Sequence, residues 1–350
     1  MKKILIVDDS ALVRKQLRGL IEGLGFEVDM AKNGEEAVQK AGVYDYAVIT
    51  MDVNMPVMDG LTAVKKIMRR NPTPILMVSS LTSEDAPTTM QALEHGAIDY
   101  IAKPGTFNVG LADTGADLEE KIMQLSRMTK QKLARTLRSQ SQREKHVRHE
   151  PIKPRMAGGI VDKVLLVGAS TGGPGLIEDI CTTIPADSTY AVFVVQHMPE
   201  KFTAAFASRL SRVSNVPVVE AVHHMEVQPG MIYIAKGGIH MHFAKKVSGK
   251  ILLRLEESRT DRFFKPSVDE MMLSAADIFD ASKVTSILLT GIGDDGAEGM
   301  VKLKESGAYT IGESEATATV YGMPRVAFEN GGVTEQLDFP DILKKLERYK

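Results

Sequence analysis

Apolar residues gather in short runs at Ile4–Val7, Tyr46–Thr50, Ile75–Val78 and Ile98–Ala102, with a weaker run around Phe26–Met30. Each is followed by loop residues and then by apolar spacing of helical period. The pattern predicts strand–helix alternation and a parallel sheet covered on both faces. Further along, Lys163–Val167, Tyr190–Val195 and Thr285–Leu289 repeat the arrangement. The fold expected is therefore α/β, in two doubly wound domains with mostly parallel sheets. No apolar run approaches the ~18 residues of a membrane span, so no membrane insertion is expected. The start, Met1 to Asp9, has too short an apolar core for a signal peptide and ends in two aspartates. A cytoplasmic protein is expected.

Charge divides the chain further. The 350 residues carry a formal net charge of −2. Residues 1–126 hold 13 Lys/Arg against 18 Asp/Glu, residues 127–155 hold 10 against 2, and residues 158–350 hold 20 against 25. Two acidic blocks thus flank a basic, aromatic-free stretch that ends in prolines, which reads as an interdomain linker over 127–157. The domains expected are 1–126 and 158–350. A basic run invites a nucleic-acid reading, but acidic flanks repel phosphates, so a solvated tether is the better reading and no nucleic-acid partner is expected. The single cysteine, Cys181, excludes an intrachain disulfide and multi-cysteine metal sites; a buried structural thiol is expected there.

In a parallel sheet the residues just past the strands collect at one edge. In the first domain these are Asp8 and Asp9, Asp52, Ser79 and Lys103. A lone aspartate there is ordinarily a turn or cap residue. Three together repel one another unless a cation neutralises them, and hard oxygen ligands with room for water suit Mg²⁺. A lysine and a hydroxyl at the same edge could hold phosphoryl oxygens. The physical reading is a site that phosphorylates one of its own aspartates. IVDDS at 6–10, MDVNMPVMDG at 51–60, MVSS at 77–80 and YIAKP at 100–104 resemble response-regulator receiver domains of flavodoxin-like fold. The resemblance implies Asp52 as phosphoacceptor, with Asp8, Asp9, Asp52 and the carbonyl of Asn54 as magnesium ligands. It also implies Lys103 and Ser79 as phosphoryl contacts, with Ser80 adjoining, and Tyr100 as the aromatic switch.

In the second domain, Lys163–Val167 runs into Gly-Ala-Ser-Thr-Gly-Gly-Pro at 168–174. Such a turn can cradle a pyrophosphate, present Ser170 as a nucleophile elbow, or simply be tight. A dinucleotide site calls for an acid at the end of the next strand, but Tyr190–Val195 ends in Gln196-His197. Thr285–Leu289 opens into Thr-Gly-Ile-Gly-Asp-Asp-Gly at 290–296. Serine, histidine and aspartate thus each follow a different strand, and triads are recognised by geometry rather than order. The bland alternatives are a structural His197 and helix-capping Asp294 and Asp295.

GASTGG at 168–173, QHMPEKFTAAFASRL at 196–210, FKPSVDEM at 264–271, LTGIGDDGAEGM at 289–300 and TATVYGMPRVA at 317–327 resemble the catalytic domain of chemotaxis protein-glutamate methylesterases. The resemblance implies Ser170 as nucleophile, His197 as base, Asp295 as orienting acid and Thr171 at the oxyanion site, beside backbone N–H groups near Ser170 and Thr171. It implies no cofactor in that domain, chemoreceptor cytoplasmic domains as substrate, a chemotaxis histidine kinase as phosphodonor, and glutamine deamidation as a second activity. Ile292 departs from the methionine common in the family; its backbone N–H survives the change. A zinc site at His240 and His242, with His223 and His224 nearby, lacks a carboxylate at ligand spacing. Two rivals remain open, a receiver-coupled transcription regulator and a receptor adaptor with a dead site.

Overall fold

In the computed structural model the described residues are 2–80, 82, 84–103, 111–134, 137, 152, 161–257 and 262–350, side chains of 111–114 excepted. Most of the basic 127–157 stretch, and Pro104 of the receiver-like motif, lie outside them. The chain divides into two compact units at Gln142/Arg143.

The first unit carries five parallel strands, β1 (Lys3–Val7), β2 (Glu27–Ala31), β3 (Val48–Asp52), β4 (Ile75–Ser79) and β5 (Asp99–Ala102), in the order β2-β1-β3-β4-β5. Helices α1 (Ala11–Gly23), α2 (Gly34–Ala41), α3 (Gly60–Arg70), α4 (Asp85–Glu94) and α5 (Leu111–Leu125) connect or follow them. Alternate strand residues face opposite sides. Ile4, Ile6, Val48, Leu76 and Val78 pack with Leu17, Ile21, Leu118 and Ile122 from α1 and α5. Leu5, Val7, Ile49, Met51 and Met77 are equally buried, as are Ala63, Val64 and Ile67 of α3. The run around Phe26–Met30 is weak in the sequence because β2 is an edge strand, mostly half-buried.

Residues 130–134 are helical, and Leu133 is 2% exposed within the α1/α5 core. The hydrophobic core of this unit therefore draws on chain beyond residue 126. Leu133→Ala is expected to lower the stability of this unit by about 2–4 kcal/mol, read by denaturant unfolding.

The second unit is built on a seven-stranded sheet in which every pairing is parallel. Its strands are β6 (Val164–Ala169), β7 (Ala191–Gln196), β8 (Val218–Glu220), β9 (Met231–Ile234), β12 (Val284–Leu288), β13 (Tyr309–Glu313) and β14 (Glu335–Leu337), ordered β14-β13-β12-β6-β7-β9-β8. An antiparallel hairpin, β10 (His240–Lys245) with β11 (Ile251–Glu256), stands apart. Helices α6 (Gly173–Thr183), α7 (Glu200–Val213) and α11 (Phe339–Leu346) pack together. So do α8 (Val268–Ile278), α9 (Ala297–Glu305) and α10 (Met323–Glu329), with α8 also against the hairpin. Phe193, Tyr233, Met271 and Met300 anchor the core on the α8/α9 side. Both sheets are doubly wound, and in each the strand order reverses beside the first strand, at β1/β3 and at β6/β12. Ligand crevices form at such switch points.

Candidate functional site

In the first unit, Asp8 and Asp9 leave β1 and Asp52 closes β3, so the switch point gathers three carboxylates. One oxygen from each lies within 4.8 Å of the others. Asp8 and Asp52 are buried and Asp9 is exposed. Lys103, one residue past β5, sets its ammonium 2.7 Å from Asp52 and 3.2 Å from Asp8. Burial pushes the Asp52 carboxyl up to about 6; Lys103 opposes that shift and the Asp8 charge adds to it. Oxygen donors converging from two buried acids and one open to water suit a small hard cation, so the residues present fit Mg²⁺.

The remaining groups surround this cluster. The N–H of Asn54 donates to Asp52 at 3.4 Å, and its side-chain amide donates to Asp85 at 2.7 Å. Ser79 closes β4, fully buried, with the Thr89 hydroxyl 3.4 Å from its own. The neighbouring Ser80 hydroxyl donates instead to Asp85. Tyr100 is buried in β5, and Lys121 donates to its carbonyl at 2.8 Å.

In the second unit, Ser170 follows β6 and His197 follows β7. The two strands pair in register up to Ala169 and Gln196, and the N–H of His197 extends the ladder to the Ala169 carbonyl at 3.1 Å. Ser170 and His197 are thus the next residues on neighbouring strands, whose separation is about 4.8 Å. Gly172 holds φ at 80°, a left-handed turn that carries the chain from Ser170 into α6. The Ser170 carbonyl accepts from the Gln196 amide at 2.9 Å.

The imidazole of His197 meets Asp295 at 2.7 Å through Nε2. Its other nitrogen, Nδ1, is buried without a hydrogen-bond partner among the described residues. One face of the ring lies against Phe264, centroids 4.0 Å apart and planes at 12°.

Asp295 follows β12 and is 7% exposed. It also accepts from the Ser267 hydroxyl at 2.7 Å, the Val268 N–H at 2.7 Å and the Asp269 N–H at 3.0 Å. Those N–H groups are the first of α8, where orphan donors and the helix dipole favour an anion. Burial alone would raise this carboxyl, but the His197 ring and these N–H groups outweigh it and hold Asp295 at about 2. Asp269 beside it is raised to about 7, by burial first, against the N–H of Gly299 and with the Asp295 charge adding.

The N–H of Ser170 donates to the Thr290 carbonyl at 2.9 Å, so it is committed to holding the turn in place. The N–H of Ile292, on the glycine turn after β12, meets no acceptor among the described residues. Thr171 is buried, and its carbonyl accepts from the Thr290 hydroxyl at 2.8 Å.

Residues 165–346 match the CheB methylesterase family model, and residues 4–113 match the response regulator receiver domain. The chain belongs to the CheB methylesterase family. A Carboxydothermus hydrogenoformans protein named protein-glutamate methylesterase/protein-glutamine glutaminase 2 is 40% identical across 98% of this chain and 98% of its own length. An Archaeoglobus fulgidus protein, named protein-glutamate methylesterase/protein-glutamine glutaminase, is 40% identical across 99% of this chain and 97% of its own. The crystal structure of the Thermotoga maritima CheB methylesterase catalytic domain is 36% identical, covers 54% of this chain and 98% of that one, and superposes with a TM-score of 0.51.

Two features of this CheB methylesterase escaped the sequence reading. Ser267 caps α8 and, with the first N–H groups of that helix, clamps Asp295; the spacing Ser267-x-x-Glu270 is a capping-box signal that could have flagged it. Phe264 against the imidazole carried no comparable local signal. The histidine pairs serve elsewhere. His240 Nδ1 accepts from the Ser267 N–H at 3.1 Å, and His242 meets Glu270 at 2.9 Å. Among the described residues, the group of at least three metal-ligating side chains brought within reach of one ion is Asp8, Asp9 and Asp52. Cys181 is buried, and burial pushes its thiol well up.

Proposed function

We propose that this CheB methylesterase is a phosphorylation-regulated hydrolase in which Ser170, His197 and Asp295 act together on glutamate methyl esters of chemoreceptors. The observation that carries this reading is the 2.7 Å contact between His197 Nε2 and Asp295, which leaves Nδ1 unpartnered among the described residues on a residue next in register to Ser170. An ionised Asp295 keeps the proton on Nε2, so Nδ1 is the basic nitrogen.

Nδ1 takes the proton of Ser170 as its oxygen attacks the ester carbonyl. The N–H of Ile292 stabilises the oxyanion, with Thr171 assisting; such a donor is worth roughly 3–4 kcal/mol in other acyl transferases. Protonated His197 then gives its proton to the departing methoxide, releasing methanol. Water, deprotonated at Nδ1, attacks the acyl-enzyme and leaves a free glutamate with Ser170 restored. A glutamine amide presents the same carbonyl and releases ammonia, which supports deamidation as a second activity. No helix of the described residues is long and apolar enough to cross a membrane, and the substrate glutamates lie on receptor cytoplasmic domains.

Asp52 is the phosphoacceptor and a chemotaxis histidine kinase the phosphodonor. Asp8, Asp9, Asp52 and the Asn54 carbonyl would hold Mg²⁺, which would supply charge neutralisation for an incoming phosphoryl group. Lys103 and Ser79 contact that group and Tyr100 reports it. Phosphorylation of the receiver raises the activity of the esterase. Expected is a rise of roughly 5- to 150-fold in methanol release from a methylated receptor fragment on adding a small-molecule phosphodonor, absent in Asp52→Ala. Residues 158–350 alone are expected to exceed the unphosphorylated full chain. Equal activation of Asp52→Ala, or a catalytic unit no faster than the full chain, overturns the regulatory reading.

A further inference from the structure

The segment FKPSVDEM at 264–271 does two jobs at the site. Ser267 clamps the carboxylate, whereas Phe264 touches the imidazole itself. A flat stack at 4.0 Å and 12° is an orientation, not a chance contact of neighbours, because residues 197 and 264 come from different segments. The His197 side chain is 7% exposed, so its ring is held by the Asp295 contact at one edge and by this aromatic face.

We propose that Phe264 is a positioning residue for the catalytic base: its ring fixes the imidazole plane with Nδ1 toward Ser170 and stabilises the imidazolium formed as the serine proton arrives. The proposal rests on the triad reading above. A hydrogen bond through Nε2 alone leaves rotation about that axis open, and a stacked ring closes it. An aromatic π face also attracts a cation, more strongly when both are desolvated. A neutral imidazole gains little from this and an imidazolium more, so the attraction grows as the serine proton is transferred, which is the condition for raising kcat rather than lowering KM.

The titratable and charged groups on the elements packed here are Asp295 and Asp294 on the glycine turn, Asp269 and Arg262 behind Asp295, Glu270 and Glu298 against Arg262, His240 against Ser267, Lys265 beside Phe264, and Glu200 at the start of α7 with Lys236. Changing Phe264 alters none of them.

In the full-length protein, Phe264→Leu is expected to lower kcat roughly 3- to 30-fold with KM within about twofold. Phe264→Tyr, which keeps the π face, restores it. The second measurement does not depend on turnover. In full-length Ser170→Ala, the His197 ring is titrated by NMR, its signal assigned by loss in His197→Gln. Adding Phe264→Leu is expected to move that titration down by about half a pH unit, because the cation loses its aromatic partner, and Phe264→Tyr brings it back. An unmoved titration, or a kcat loss that tyrosine does not restore, overturns the proposal. If Ser170→Ala alone keeps wild-type methanol release, the triad reading fails instead, and the titration still reports on the stack.

Discussion

Ser170→Ala is expected to reduce methanol release from methylated receptor fragments by roughly 10⁴- to 10⁶-fold, the range seen when a nucleophile is removed from a working triad. Ser170 lies at the end of β6, and its backbone is tied by its N–H to Thr290 and by its carbonyl to Gln196. The substitution therefore removes one oxygen and leaves the turn intact, and the unfolding midpoint should not move. Asp295→Asn is expected to cost about 10⁴-fold, because an amide no longer selects the Nε2 proton and leaves Nδ1 with the wrong tautomer. Groups acting as a unit lose their effect together, so Ser170→Ala combined with His197→Ala should be little worse than Ser170→Ala alone. Additive losses, or an active Ser170→Ala, would instead favour a receptor adaptor whose serine does no chemistry.

Gly60→Ala is expected to destabilise the receiver by about 3 kcal/mol or more and to abolish phosphorylation from small-molecule donors. A Cβ at this position would lie 1.9 Å from the carbonyl oxygen of Asp52 and 3.2 Å from the Met51 side chain. Both obstacles belong to the last residues of β3, so relief requires α3 and the strand end that carries Asp52 to move apart. Denaturant unfolding of the receiver and phosphate incorporation in the full chain read the two effects separately. A receiver that keeps both its stability and its phosphorylation would mean that α3 can withdraw from β3 at no cost.

The strands buried on both faces announced themselves as apolar runs, and their C-terminal ends pointed to the residues that gather at each switch point. Edge positions were harder, since β2 buries little and the hairpin β10/β11 lies outside the main sheet. Asp52 and Ser79 proved to close their strands rather than follow them. A terminal polar residue does not interrupt an apolar run, so a boundary read from hydrophobicity stops short of it. His197 and Asp295 were legible because each follows a strand of the sheet, His197 directly and Asp295 on the glycine turn. Their supports were not. Ser267, the first N–H groups of α8 and Phe264 reach the site from a segment before β12, and sequence spacing carries no information about which loop folds back over which strand. The commitment of the Ser170 N–H to Thr290 was equally invisible, since backbone donors look alike in a sequence.

Asp295 draws its ionisation from contacts sealed away from solvent, the Ser267 hydroxyl, two helix N–H groups and the imidazole. Mobile ions screen exposed charges over about 10 Å at 0.1 M but scarcely reach buried ones. Raising the salt should therefore loosen the capture of a charged receptor while leaving the rate of each hydrolytic turnover where it was. Ionic strength becomes a means of separating how the enzyme finds its target from what it does on arrival.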